Sequence, residues 1–134
     1  MPQTLGSLAN KAKIKFGSLY GAPIIWIKAD KNRAGYPANS VTLVTNQIIK
    51  LLCFDAKESA NGNSDRRNYG NNRYIYSNLR QWLNSDAAAG QWYTAQHSAD
   101  APPSTANVWD GVNHYQTLAG FLNGFTANER TALL

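Results

Sequence analysis

The run Ser77-Asn78-Leu79-Arg80-Gln81-Trp82-Leu83-Asn84 constrains this chain more than any other. Leu79, Trp82 and Leu83 stand at i, i+3 and i+4, positions that share one face of a helix. Ser77 occupies the N-cap position, where its hydroxyl accepts from a backbone N–H two or three residues on. Arg80 and Gln81 lie off the apolar stripe. The pattern predicts a short helix over residues 76–84 whose Trp82 anchors a core and carries no chemistry of its own.

Upstream, the periodicity is that of strands. Lys13-Ile14-Lys15-Phe16-Gly17 alternates, and a turn around Tyr20-Gly21 leads into the apolar run Pro23-Ile24-Ile25-Trp26-Ile27-Lys28, so the two segments read as a hairpin. Ser40-Val41-Thr42-Leu43-Val44-Thr45 adds a third strand rich in β-branched residues. Residues 48–54 suit either a fourth strand or a buried helix, with strand favoured. From Asp55 to Arg73 apolar periodicity is lost, and the segment reads as a long loop, a length that usually signals function. Downstream, residues 87–93 suggest a second short helix. Pro102-Pro103 makes its surroundings irregular, and residues 119–123 suggest a single helical turn. Thr126-Ala127-Asn128-Glu129 is a capping box. It opens a helix that has about two turns before the chain stops, a length marginal without packing, so the chain reads as cut short.

A chain of 134 residues has room for one domain with a core. Charged residues are few, 16%, and Asn takes over much of the polarity, which favours turns and left-handed backbone. The net charge of +5 is compatible with nucleic acid, teichoic acid or another acidic polymer, although solubility alone accounts for it. Cys53 is the single cysteine. An internal disulfide is therefore excluded, and its apolar neighbours mark a small buried hydrophobe rather than a nucleophile. No apolar run approaches the length of a membrane span, and the first residues lack the pattern of a signal peptide. Export would then need another route, such as release of phage particles by host lysis.

Three constellations carry possible chemistry. His97-Ser98-Ala99-Asp100 holds the residue types of a hydrolase triad, but triad members meet through the fold rather than within four residues, and no Gly-x-Ser-x-Gly elbow is present. A polar loop pinned by Pro102 is the simpler reading. Asp55, Glu58, Asn61, Asn63 and Asp65 offer oxygen ligands of the kind calcium prefers, yet their spacing does not match an EF-hand loop; no metal or cofactor is expected. Residues 66–76 mix Arg66, Arg67, Tyr69, Arg73 and Tyr74, groups able to stack sugars or bases and to pair with hydroxyls or carboxylates. The leading reading there is that Tyr74 and Tyr76 enter the core while the arginines stay solvated; a saccharide or protein ligand comes next, ahead of nucleic acid.

Several of these segments, in this order, resemble an uncharacterised domain family common in phages, prophages and surface proteins of Firmicutes, particularly clostridia. The resemblance is carried by Phe16-Gly17, Pro23-Ile24-Ile25-Trp26, Ser40-Val41-Thr42-Leu43-Val44-Thr45, Cys53-Phe54-Asp55-Ala56-Lys57 and Tyr69-Gly70-Asn71-Asn72-Arg73-Tyr74. It continues through Leu79-Arg80-Gln81-Trp82-Leu83-Asn84, Trp92-Tyr93, residues 97–103 and Gly120-Phe121-Leu122. Members of that family usually continue past the capping-box helix into segments similar to those of formylglycine-generating-enzyme and C-type-lectin-like folds. The enzymatic branch of that wider fold uses a pair of cysteines, which Cys53 alone does not supply.

The expectation is one α+β domain, a small antiparallel sheet with short helices and long Asn-rich loops, forming part of a C-type-lectin-like domain. The resemblance implies a non-enzymatic virion component, a tail, baseplate or fibre module, located in the phage particle or in the bacterial cytoplasm before assembly. Its partners would be a host cell-surface polymer or other virion proteins, in a homo-oligomer or a larger assembly without membrane insertion. The alternative is a purely structural capsid decoration or tail subunit without a host ligand. If the chain binds, residues 55–76 are the expected contact surface.

Overall fold

Tyr20 and Gly21 both take positive φ, 53° and 77°, the combination that lets a two-residue hairpin follow the natural twist of its strands. They join β1 (Lys13–Leu19) to β2 (Ala22–Lys31) in antiparallel register, with Lys13 opposite Ile27 and Lys15 opposite Ile25. β3 (Val41–Thr45) pairs antiparallel with β2 on its other side, giving the order β1-β2-β3. The first three predicted strands are therefore present, as one small sheet. The computed structural model describes residues 4–133. The chain divides into two compact units, residues 1–49 and 50–134, and the sheet belongs to the first.

Within the first unit, Ile24 is buried, and the Trp26 indole N–H donates to the Phe16 carbonyl at 2.6 Å. Lys28 is also buried, and its ammonium donates to the carbonyls of Leu8 (2.5 Å) and Gly6 (3.3 Å). Burying a cation is costly unless its donors are satisfied. Here they pin the 3₁₀ turn Leu5–Ser7.

The second unit is organised by aromatic rings. Trp82, Trp92, Tyr115, Phe121 and Phe125 are all buried. Trp92 stacks on Tyr115 with centroids 5.3 Å apart and an interplanar angle of 9°, while Trp82 meets Tyr115 edge-on at 5.7 Å and Phe121 at 5.3 Å. Trp82 lies on α2 (Asn78–Leu83), whose N-cap Ser77 accepts from the Arg80 N–H as its sequence predicts. The Trp82 indole donates to the Ala119 carbonyl at 2.8 Å. The backbone around residue 120 then runs so close that a Cβ on Gly120 would fall 2.3 Å from the Ser85 carbonyl oxygen. Only glycine fits there. The capping box also forms: Thr126 and Glu129 exchange hydrogen bonds at the start of α3 (Ala127–Thr131).

Three expectations need correction. Residues 48–54 form no strand. Their backbone groups pair with a loop and with the start of α2, Cys53 N–H with the Asn113 carbonyl and the Phe54 carbonyl with Leu79 N–H, while Ile48 and Leu51 stay exposed. Residues 87–93 form no helix, because Gly90 N–H and the Ala87 carbonyl pair with Leu118 and Gly120 across the chain. The long loop contains α1 (Ser64–Tyr69). No residue of α1 is buried, so it has no apolar stripe for a sequence pattern to reveal. Its caps hold it: the Asn63 carboxamide accepts from Asp65 and Arg66 N–H, and Gly70 closes the other end.

Replacing Trp82 by Ala should lower unfolding free energy by about 3–5 kcal/mol, the usual cost of emptying a large aromatic site, in urea titrations followed by circular dichroism. Trp82→Phe keeps most of the ring volume but strands the Ala119 carbonyl, and should cost about 1–3 kcal/mol.

Candidate functional site

Asp55 is buried, and each carboxylate oxygen accepts a backbone N–H: Oδ2 from Asn71 at 2.6 Å, Oδ1 from Asn78 at 2.9 Å. Asn78, fully buried, returns the contact: its Oδ1 accepts from Ala56 N–H at 2.8 Å, and its Nδ2 donates to Asp100 at 3.3 Å. This exchange clamps the segment after Cys53 to the segment entering α2. Burial pushes the Asp55 carboxyl up to about 6, against the pull of the two N–H donors. Gly70, at φ 81°, completes the close approach, since a Cβ there would sit 2.5 Å from the Ala56 carbonyl oxygen.

Beside this clamp opens a cleft of about 800 Å³. Asp65, Arg66 and Tyr69 of α1 line it together with Asn72, Trp109 and Asp110. Tyr69 and Trp109 are 59% and 69% exposed, with ring centroids 5.0 Å apart and planes tilted by 46°. The Lys57 ammonium lies 5.5 Å from the Trp109 ring centroid, within cation–π range. Trp109 is presented by a tight turn in which Asp110 Oδ1 accepts from the Val112 and Asn113 N–H groups at 2.9 and 3.0 Å. Those bonds hold the Asp110 carboxyl below its ordinary range.

Of the predicted contact residues, Arg66 and Tyr69 line the cleft. Arg67 donates to the Asn61 carbonyl at 3.3 Å. Arg73 and Tyr74 are exposed but outside the cleft lining. Tyr76 alone of the tyrosine pair is withdrawn, edge-on to His97 at 5.6 Å. Trp109 and Asp110 lie outside residues 55–76. The signal for them is the Trp-Asp-Gly-Val-Asn run at 109–113, whose Asp and Gly specify the turn that exposes the indole.

The other chemical candidates have structural partners. His97 Nε2 lies 2.7 Å from Oε1 of fully buried Glu58, and Asn61 donates to the second carboxylate oxygen. Asp100 accepts from Gln96 N–H at 2.8 Å, and Ser98 is exposed. Cys53 also borders the cleft, but burial pushes its thiol up to about 12. Among the described residues no three His, Cys, Asp or Glu side chains converge where a metal ion could be held. No helix among them is long and apolar enough to cross a membrane.

The model of a domain of unknown function, DUF6273, matches residues 39–134. The chain belongs to that family. No curated protein and no solved structure matches the chain. The DUF6273 region contains the clamp, the whole cleft and the aromatic core, while β1 and β2 precede it.

Asp55→Asn presents an amide N–H₂ to one of the two backbone donors, and should cost about 1–3 kcal/mol in chemical denaturation. Because burial raises Asp55 from 3.8 to about 6, the folded state holds its proton more tightly than the unfolded chain. The stabilisation that comes from this tighter proton binding is thus fully present below pH about 4 and is lost as pH rises to about 6. Above that pH the hydrogen bonds of the carboxylate itself remain. Comparing the pH–stability slopes of wild type and Asp55→Asn isolates this contribution. The Cys53 thiol should alkylate at pH 8 slower than free cysteine by on the order of a hundredfold or more, set by its thiolate fraction, in iodoacetamide labelling read by mass spectrometry.

Proposed function

We propose that this DUF6273 member is a non-enzymatic phage virion component, a tail, baseplate or fibre module that adheres to a host surface polymer, with other virion proteins as its assembly partners. The observation that carries the binding reading is the exposed Tyr69–Trp109 pair at the cleft. Tilted aromatic plates beside the side chains of Asp65, Arg66 and Asn72 offer a sugar ring both an apolar face and hydroxyl partners. The placement in a virion rests on the resemblance of its motifs, in their order and spacing, to those of a domain family common in phages and prophages. The same resemblance supports reading the small sheet, short helices and long loops as part of a C-type-lectin-like fold.

Tyr69→Ala and Trp109→Ala should each lower retention on purified host cell-wall material about tenfold, the equivalent of about 1.4 kcal/mol, with circular dichroism unchanged. Arg73→Ala, outside the cleft lining, should leave retention as it is. Undiminished retention with both aromatic rings removed would exclude the cleft as the binding site.

A further inference from the structure

The positive charge of this chain is not spread through it. Residues 1–38 hold six basic side chains (Lys11, Lys13, Lys15, Lys28, Lys31 and Arg33) against one acid, Asp30, and so carry the whole net charge of +5. Residues 39–134, which the family model matches, hold seven of each sign and are neutral. Of the six cations, Lys28 is buried on backbone carbonyls. Lys11, Lys13, Lys15, Lys31 and Arg33 are exposed, and among the described residues none of the five takes part in an ion pair.

The register brings several of these cations to one end of the hairpin. Lys11 N–H donates to the Lys28 carbonyl at 2.8 Å, which sets the approach to β1 beside the end of β2 that carries Lys31 and leads to Arg33. The Lys31 ammonium lies next to Gly6, 3.4 Å from where a Cβ would project, on the turn that Lys28 pins. Lys13 and Lys15, opposite Ile27 and Ile25, project from the face of the sheet away from Lys28 and Lys31, so the cations flank this end of the hairpin from both faces. Tyr36, in the loop after β2, is the exposed aromatic at this end. One ring makes no row of stacking platforms of the kind a run of bases needs. Four of the five exposed cations are lysines, which act as point charges rather than bidentate readers.

We propose that this basic hairpin end is a second binding site, for a linear phosphodiester polyanion without bases, such as a polyol phosphate chain. It uses residues other than those of the aromatic cleft, and does not depend on the cleft reading. Binding here is by counterion release from a phosphate chain. With up to five phosphates contacted, raising monovalent salt from 50 to 200 mM should weaken it about a hundredfold, taking the single-strand slope.

The test is retention of the full chain on immobilised poly(glycerol phosphate), with a single-stranded oligonucleotide of equal charge as competitor. Lys13→Gln/Lys15→Gln and Lys31→Gln/Arg33→Gln should each reduce affinity at 50 mM salt at least fivefold, with thermal melts unchanged. Tyr69→Ala/Trp109→Ala should leave it as it is, so failure of the cleft and failure of this site are read separately. Three results would overturn the proposal: no retention at 50 mM salt, retention indifferent to all four charge removals, or displacement by the oligonucleotide at far lower concentration than by free poly(glycerol phosphate). The last would assign the surface to nucleic acid.

Discussion

The second unit depends on one buried carboxylate. Asp55 ties the N–H groups of Asn71 and Asn78, 16 and 23 residues further along, to a single pair of oxygens. Asn78 then closes the loop through Ala56 and reaches Asp100. Regular structure is sparse here: α1 and α2 have six residues each. Backbone polar groups that would otherwise need a sheet or a long helix find partners in side chains instead. The raised ionisation of Asp55 indicates that burying the charge costs more than the two donors return. The clamp therefore serves to specify one arrangement of loops, while the stacked rings of Trp92, Tyr115 and Trp82 supply the apolar burial.

The same economy explains the abundance of asparagine. The Asn61, Asn63 and Asn71 carboxamides each accept the N–H two residues on, at 2.9 to 3.0 Å, and Asn32 accepts from Asn39 at 2.7 Å. These local bonds shape loops without burying surface. They leave α1 free to stand with Tyr69 outward beside Trp109. A loop held by its own hydrogen bonds and bearing exposed rings suits a surface that meets a polar, hydroxyl-rich ligand, because less ordering is left to be done on binding.

What the sequence made legible follows from which interactions are local. The Tyr20-Gly21 turn, the Ser77 cap and the Thr126 capping box rest on contacts within a few residues, β1, β2 and β3 each carry a strand pattern within their own segment, and all of these form. α1 is hidden in the sequence because it buries no residue and so shows no apolar stripe, while the caps that bound it are single residues. Residues 48–54 and 87–93 carry apolar runs whose backbone partners, Asn113 and Leu118, lie far along the chain. Of the site, Arg66 and Tyr69 were readable from their mixed cationic and aromatic run. Trp109 was not, since its place opposite Tyr69 is set by the pairing of Cys53 with Asn113 and of Lys57 with Asn107.

Amide hydrogen exchange at Asn71 and Asn78 tests the clamp most directly. If the Asp55 carboxylate holds the loops together, both amides should exchange as slowly as those of the aromatic core, and Asp55→Ala should release the two together. Fast, loop-like exchange at either amide in the wild-type chain would contradict this account.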